Sequence, residues 1–173
     1  NRTRRSDTGK VADAIAERMA QGDAMVLFAE GTSNDGNGVL PFRSALLGAA
    51  TRALDDDGEV WVQPLSIAYH SLQGLPMGRQ FRPHVAWYGD MELAGHLWGV
   101  FKEGALDVVV RWGEPVLVAP TTDRKALSRQ LEEQVRAMTA ASLRGGAADL
   151  FKTSDISDTA LFSSDSKPAK AGG

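Results

Sequence analysis

The segment Glu30-Gly31-Thr32-Ser33-Asn34-Asp35-Gly36-Asn37-Gly38 concentrates the residue types that could do chemistry. A carboxylate, Glu30, directly follows a continuously apolar run over residues 24–29. Open α/β sheets place their sites at the carboxyl ends of buried strands. Three glycines and two asparagines after it permit tight turns and close backbone approach to a ligand. The chain returns through Pro41, and Arg43 then falls in the first turn of an expected helix. A cation opposes the helix dipole there, which favours anions. The position suits an Arg when a phosphate or carboxylate sits between it and the free N–H groups. The bland reading is a solvated Arg on a surface helix.

Other motifs fail on inspection. Pro41 occupies the third glycine position of a dinucleotide fingerprint begun at Gly36, and no Gly-Lys-Ser/Thr occurs. A calcium loop begun at Asp35 would need Glu where Leu46 stands. Ser33, Ser44 and Ser66 lie outside any Gly-x-Ser-x-Gly elbow. His70, His84 and His96 show no metal-ligand spacing, and His96 sits among Leu93, Leu97 and Val100 as a packing or surface residue would. No metal site is expected.

The elements that must position the loop alternate helix and strand, as an α/β fold does. Asp7 or Thr8 can cap a helix bearing Val11, Ile15 and Met19 on one face, with Gly22 past its end. Residues 24–29 then predict a parallel strand covered on both faces. A helix is expected over 42–54 and a strand over 60–69. Pro64 demands that this strand be an edge, bulge or stop early. A breaker-rich stretch spans 70–83; a short strand is predicted at 85–88, a helix at 91–102 and a strand at 106–112. Leu127, Leu131, Val135 and Met138 mark the clearest helix, 123–143. The fold expectation is a single α/β domain over 1–144, a mostly parallel sheet flanked by helices. The Gly/Ala/Ser/Asp/Thr-dominated stretch 145–173 is expected to be a disordered tail.

Composition narrows the function classes. With 173 residues, 43% apolar and 24% charged, the chain can bury a core. Nineteen Lys and Arg against 22 Asp and Glu give a net charge of −3, which argues against a nucleic-acid binder. The absence of cysteine removes disulfides, thiol nucleophiles and Cys-ligated metals. No apolar run approaches the ~20 residues of a membrane span. A first residue of Asn is what a fragment or trimmed chain would show.

Several blocks in order resemble the lysophosphatidate (1-acylglycerol-3-phosphate) acyltransferase family. Phe28-Ala29-Glu30-Gly31-Thr32 resembles its Phe-Pro-Glu-Gly-Thr block, and Leu40-Pro41-Phe42-Arg43 the later Pro-Phe-Lys. Arg2 stands where the family has the Arg of Phe-x-x-Arg, and Val62-Gln63-Pro64-Leu65 is similar to its fourth block. Trp87-Tyr88-Gly89-Asp90 and Arg111-Trp112-Gly113-Glu114-Pro115 resemble late segments of bacterial members. Ser33 replaces an Arg often found after Glu-Gly-Thr, and the Ser-Asn-Asp-Gly-Asn insert looks more like the branch that acylates lyso-ornithine lipid.

The resemblance implies acyl transfer from a thioester, on acyl carrier protein or coenzyme A, to a lysolipid hydroxyl, without cofactor. It implies a catalytic block at Glu30, with Thr32 helping to hold the acceptor. Arg2 and Arg43 would grip its anionic headgroup, and Gly31, Ser33, Pro41 and Pro64 would complete the binding site. The family's base is the His of His-x-x-x-x-Asp. Leu75, Gly89 and Phe101 stand five residues after the three histidines, so that block would precede Asn1. The expected location is the cytoplasmic face of the bacterial inner membrane; the apolar and basic residues 72–82 either dip among headgroups or form an ordinary long loop over the sheet. Two other readings stay open. One is a non-catalytic lysolipid- or anion-binding protein; the other is a soluble enzyme pairing Glu30 with Asp35 or Asp90.

Overall fold

The computed structural model describes residues 17–19, 21–52 and 58–144. Arg2, most of the expected first helix and the 145–173 stretch lie outside them. The elements are α1 (Ser44–Arg52), β1 (Val60–Val62), β2 (Leu65–Leu72), β3 (Leu75–Pro76), α2 (Arg82–Val85), α3 (Leu93–Glu103), β4 (Leu106–Trp112), β5 (Val116–Val118) and α4 (Arg124–Arg144).

The long helix α4 organises the rest. Its buried Leu127, Leu131, Val135 and Thr139 repeat every four residues and form one stripe. Asp123 Oδ1 accepts the Lys125 N–H at 2.8 Å at the helix start, satisfying a donor that no helical carbonyl can reach. Leu127 and Leu131 form a core with Leu47 of α1 and Val118 of β5, and Phe42, Val60, Val62 and Val116 pack around it. Farther along, Arg111 Nε donates to Ser142 Oγ at 2.8 Å and ties β4 to the same helix. Gly113 packs tightly at this junction: a Cβ there would stand 3.0 Å from Gln134 Oε1 and 3.2 Å from Pro64 Cβ.

The strands form two small sheets, β1–β5 and β3–β2–β4. In the larger, Leu65, Ile67 and Tyr69 pair with Trp112, Val110 and Val108. Their neighbours Ser66, Ala68 and His70 are buried, whereas Ile67, Val110 and Trp112 are exposed. Strand periodicity therefore gives the sheet one covered face and one open apolar face. A register shift between Tyr69 and Ser71 interrupts the alternation and buries both His70 and Ser71. Gln73 (φ 53°) and Gly74 (φ 78°) close the β2–β3 hairpin, a turn with two left-handed residues.

Several expectations are corrected. Every pairing among the described residues is antiparallel, where a mostly parallel sheet was expected. Residues 24–29 form no strand: Val26 is 81% and Phe28 74% exposed, and no ladder satisfies their backbone. Apolar content alone does not make a strand; a neighbouring strand must supply the hydrogen bonds. No strand forms at 85–88: α2, with Pro83 near its start, ends at Val85, and 86–88 are irregular. Strand 60–69 splits at Pro64, as its missing N–H requires, and resumes to Leu72. Arg43 lies just before α1 rather than within it. The expected end of the first helix holds: 17–19 are helical, and Gly22 (φ 85°) donates its N–H to Met19 O at 2.9 Å.

Candidate active site

The loop after residue 29 is held by its own polar side chains. Glu30 Oε2 accepts from Asn34 Nδ2 at 2.9 Å and from the Leu40 N–H at 2.8 Å. One carboxylate oxygen thus joins the start of the loop to its end. Asn34 also donates to Gly38 O at 2.9 Å and accepts the Gly36 N–H at 2.8 Å. The Arg43 N–H donates to Ala29 O at 2.8 Å, which closes the loop at its base. Gly31 (φ 68°) lies beneath the Arg43 side chain, where a Cβ would come within 2.9 Å of Arg43 Cδ. The backbone conformation favours glycine there, and a Cβ would also displace the Arg43 side chain.

Two more distant residues fix this loop against the sheet and α4. Arg82 is 7% exposed; it donates to Asn37 Oδ1 at 3.2 Å and to Met77 O at 2.9 Å, and its buried Nε has no partner. Burial lowers the pKa of this guanidinium, and Arg79 adds to the effect. Glu132 of α4 accepts the Phe42 N–H at 2.9 Å and pairs with Arg136 at 2.9 Å. The Phe42 hydrogen bond is the main cause holding its carboxyl below the usual value, with Arg136 contributing.

Glu30, Thr32, Ser33 and Pro64 line one cavity of about 700 Å³. Val26, Val62, Leu65, Ile67, Trp112 and Val135 supply much of its apolar wall. A carboxylate and two hydroxyl residues on an apolar cavity can orient a polar group while carbon chain lies beyond it. Arg43 lies over Gly31, and neither of these two lines the cavity. Pro41 is exposed and does not line the cavity, and Arg2 lies outside the described residues. None of the three histidines lines it. His84 pairs with Glu103 at 2.8 Å, and His96 bonds Val85 O at 3.2 Å. His70 bonds Ser71, whose hydroxyl donates to Asp107. Asn34, Asn37, Arg82 and Glu132 are the site residues that sequence reasoning missed.

This arrangement, a Glu-Gly-Thr turn with a cation folded over its glycine, coincides with the match to known proteins. The family model described as Acyltransferase matches residues 1–68. More particularly, the chain is 56% identical over 146 residues to a lyso-ornithine lipid O-acyltransferase of Brucella abortus, covering 83% of this chain and 55% of that protein. It is 44% identical to the protein of that name from Rhizobium meliloti, over 83% of this chain and 50% of the relative. A 1-acyl-sn-glycerol-3-phosphate acyltransferase of Neisseria gonorrhoeae is 29% identical over 81% of this chain and 51% of the relative. The chain thus spans about half the length of these curated relatives. No solved structure matches it.

Proposed function

We propose that the protein is an O-acyltransferase that moves an acyl group from a thioester to the hydroxyl of a lysolipid, with lyso-ornithine lipid as the favoured acceptor. The observation that carries this reading is the hydrogen-bonded Glu30 turn on an apolar cavity, in a chain 56% identical to a protein named for that reaction. The acceptor oxygen attacks the thioester carbonyl carbon and forms the C–O bond. The C–S bond breaks, and the hydroxyl proton passes to a general base while the thiolate leaves. The thioester is already activated, so no cofactor is invoked, and the donor is acyl carrier protein or acyl-coenzyme A.

Glu30 and Thr32 orient the acceptor in this scheme, and Arg43 adds positive charge beside the turn, where its planar fork can bond two oxygens at once. No histidine lines the cavity, so the base comes from outside these three residues. The same observation favours a second reading, a lysolipid-binding protein without turnover.

The membrane side of the reading rests on α3. It has no buried residue, and Leu93, Trp98 and Phe101 are exposed at 54%, 63% and 69%. Lys102 lies 5.5 Å over the Trp98 ring. The neighbouring hairpin exposes Leu75, and its Gln73 bonds Glu103 O at the end of α3. Apolar side chains with Trp and Lys among them suit a helix lying at the lipid surface. The bacterial inner membrane, at its cytoplasmic face, is the location this scheme proposes. Among the described residues, no helix is long and apolar enough to cross a membrane. A parallel sheet belongs to the proposal only through residues 24–29, an apolar run without a strand partner.

The test is acyl transfer by the full-length gene product with acyl carrier protein or coenzyme A thioesters. Glu30→Ala and Arg43→Ala are each expected to lower kcat/KM about 10- to 100-fold, the worth of a hydrogen bond to a charged group. Circular dichroism should stay unchanged. Wild-type rates in both variants would overturn the site assignment. Lysolipid binding with no turnover would decide for the second reading.

A further inference from the structure

A second hollow of about 210 Å³ adjoins the Glu30 turn, sharing Asn34 and Leu40 with it. Its two charged groups are Asp35 and Arg79, of opposite sign. They make no ion pair with each other; among the described residues the side-chain pairs are His84–Glu103 and Arg136–Glu132. The Asp35 carboxylate is fixed, accepting the Asn37 N–H at 3.1 Å and Asn37 Nδ2 at 2.9 Å. That same amide donates to the backbone Arg79 O at 3.0 Å, so Asn37 ties the Asp35 loop to the main chain at Arg79. Arg82, buried behind, donates to Asn37 Oδ1 and holds the amide in this orientation. The bonds from Asn37, with the nearby Arg79 charge, lower the Asp35 pKa and keep it ionised.

An anion and a cation that face one hollow but do not neutralise each other complement a ligand carrying both charges. A lysophosphatidate headgroup offers only negative charge, which Arg79 would meet and Asp35 would repel. An ornithine acylated on one nitrogen keeps one carboxylate and one ammonium. We propose that this hollow is the headgroup site for a zwitterionic amino-acid lipid, with Arg79 on the carboxylate and Asp35 on the ammonium, and that it sets the preference for such an acceptor over a phosphate-bearing one. The assignment rests on the acyl-transfer reading above.

The test pairs two variants of the full-length gene product with two modified acceptors. Lyso-ornithine lipid, its carboxyl methyl ester, its N-acetylated form and lysophosphatidate are compared by kcat/KM. In the wild type, esterification and acetylation are each expected to cost about tenfold, as losing a charge-assisted hydrogen bond does. Arg79→Gln should lose about tenfold on the parent lipid and become indifferent to esterification. Asp35→Asn should lose on the parent, become indifferent to acetylation and gain on lysophosphatidate. A merely structural role would lower all four acceptors together. Full sensitivity of each variant to the modification it should ignore would overturn the site while leaving acyl transfer intact. Absence of turnover with every acceptor would overturn both readings.

Discussion

Arg43 bends its side chain over Gly31, so the cation nearest the Glu-Gly-Thr turn is positioned by the lack of a side chain beneath it. Gly31→Ala adds a carbon 2.9 Å from Arg43 Cδ and places Ala at φ 68°. The left-handed conformation alone costs about 1–2 kcal/mol. We expect Gly31→Ala to lower the melting temperature by a few degrees and turnover about tenfold. In the double variant with Arg43→Ala the two activity losses should be less than additive, because both act through one guanidinium. Fully additive losses would detach Gly31 from Arg43. Glu30, Gly31 and Arg43 were legible from the sequence because they lie within one loop and its exit. Arg82 was not, since its burial depends on Asn37, 45 positions earlier, coming to it alongside the nearby Met77. The soluble-enzyme pairing of Glu30 with Asp35 finds no geometric support: Glu30 binds Asn34 and Leu40, and Asp35 binds Asn37.

Between elements, the contact that matters most to the site runs from Glu132 in α4 to the Phe42 N–H ahead of α1. The folded carboxyl has a pKa below its ordinary 4.5. Its contribution is therefore present above that value and lost as pH falls through the folded pKa. Glu132→Gln should cost about 1 kcal/mol at pH 7, and the gap from wild type should close toward pH 3. Urea denaturation at the two pH values measures this; a gap independent of pH would show that the charge contributes nothing. Helix α4 was legible almost to its ends because its four-residue repeat is local. The bond from Glu132 was not, because nothing in a helical repeat says which exposed acid meets a backbone N–H ninety positions earlier. Nor was β5, three residues long, whose identity depends on pairing with β1. Pro64 gave the break between β1 and β2 because a missing N–H is a local fact.

For the molecule as a whole, α4 covers one face of the larger sheet while Ile67, Val110 and Trp112 leave the other apolar and open. Composition indicated a core but not which surfaces would remain outside it, since a buried parallel strand and an unpaired extended run share the same apolar letters. Residues 24–29 are the latter here, with Val26 and Phe28 well exposed. This has a colloidal consequence. An exposed apolar run with no strand partner is a template for another copy of itself. With a net charge of only −3, little long-range repulsion opposes the approach of two such chains. The isolated 173-residue chain should therefore scatter light increasingly as its concentration rises, and Val26→Lys should suppress the rise. Scattering that is flat with concentration, or equal in the variant, would show the run to be inert. The stretch that leads the chain into its carboxylate turn would then also govern how long it stays in solution.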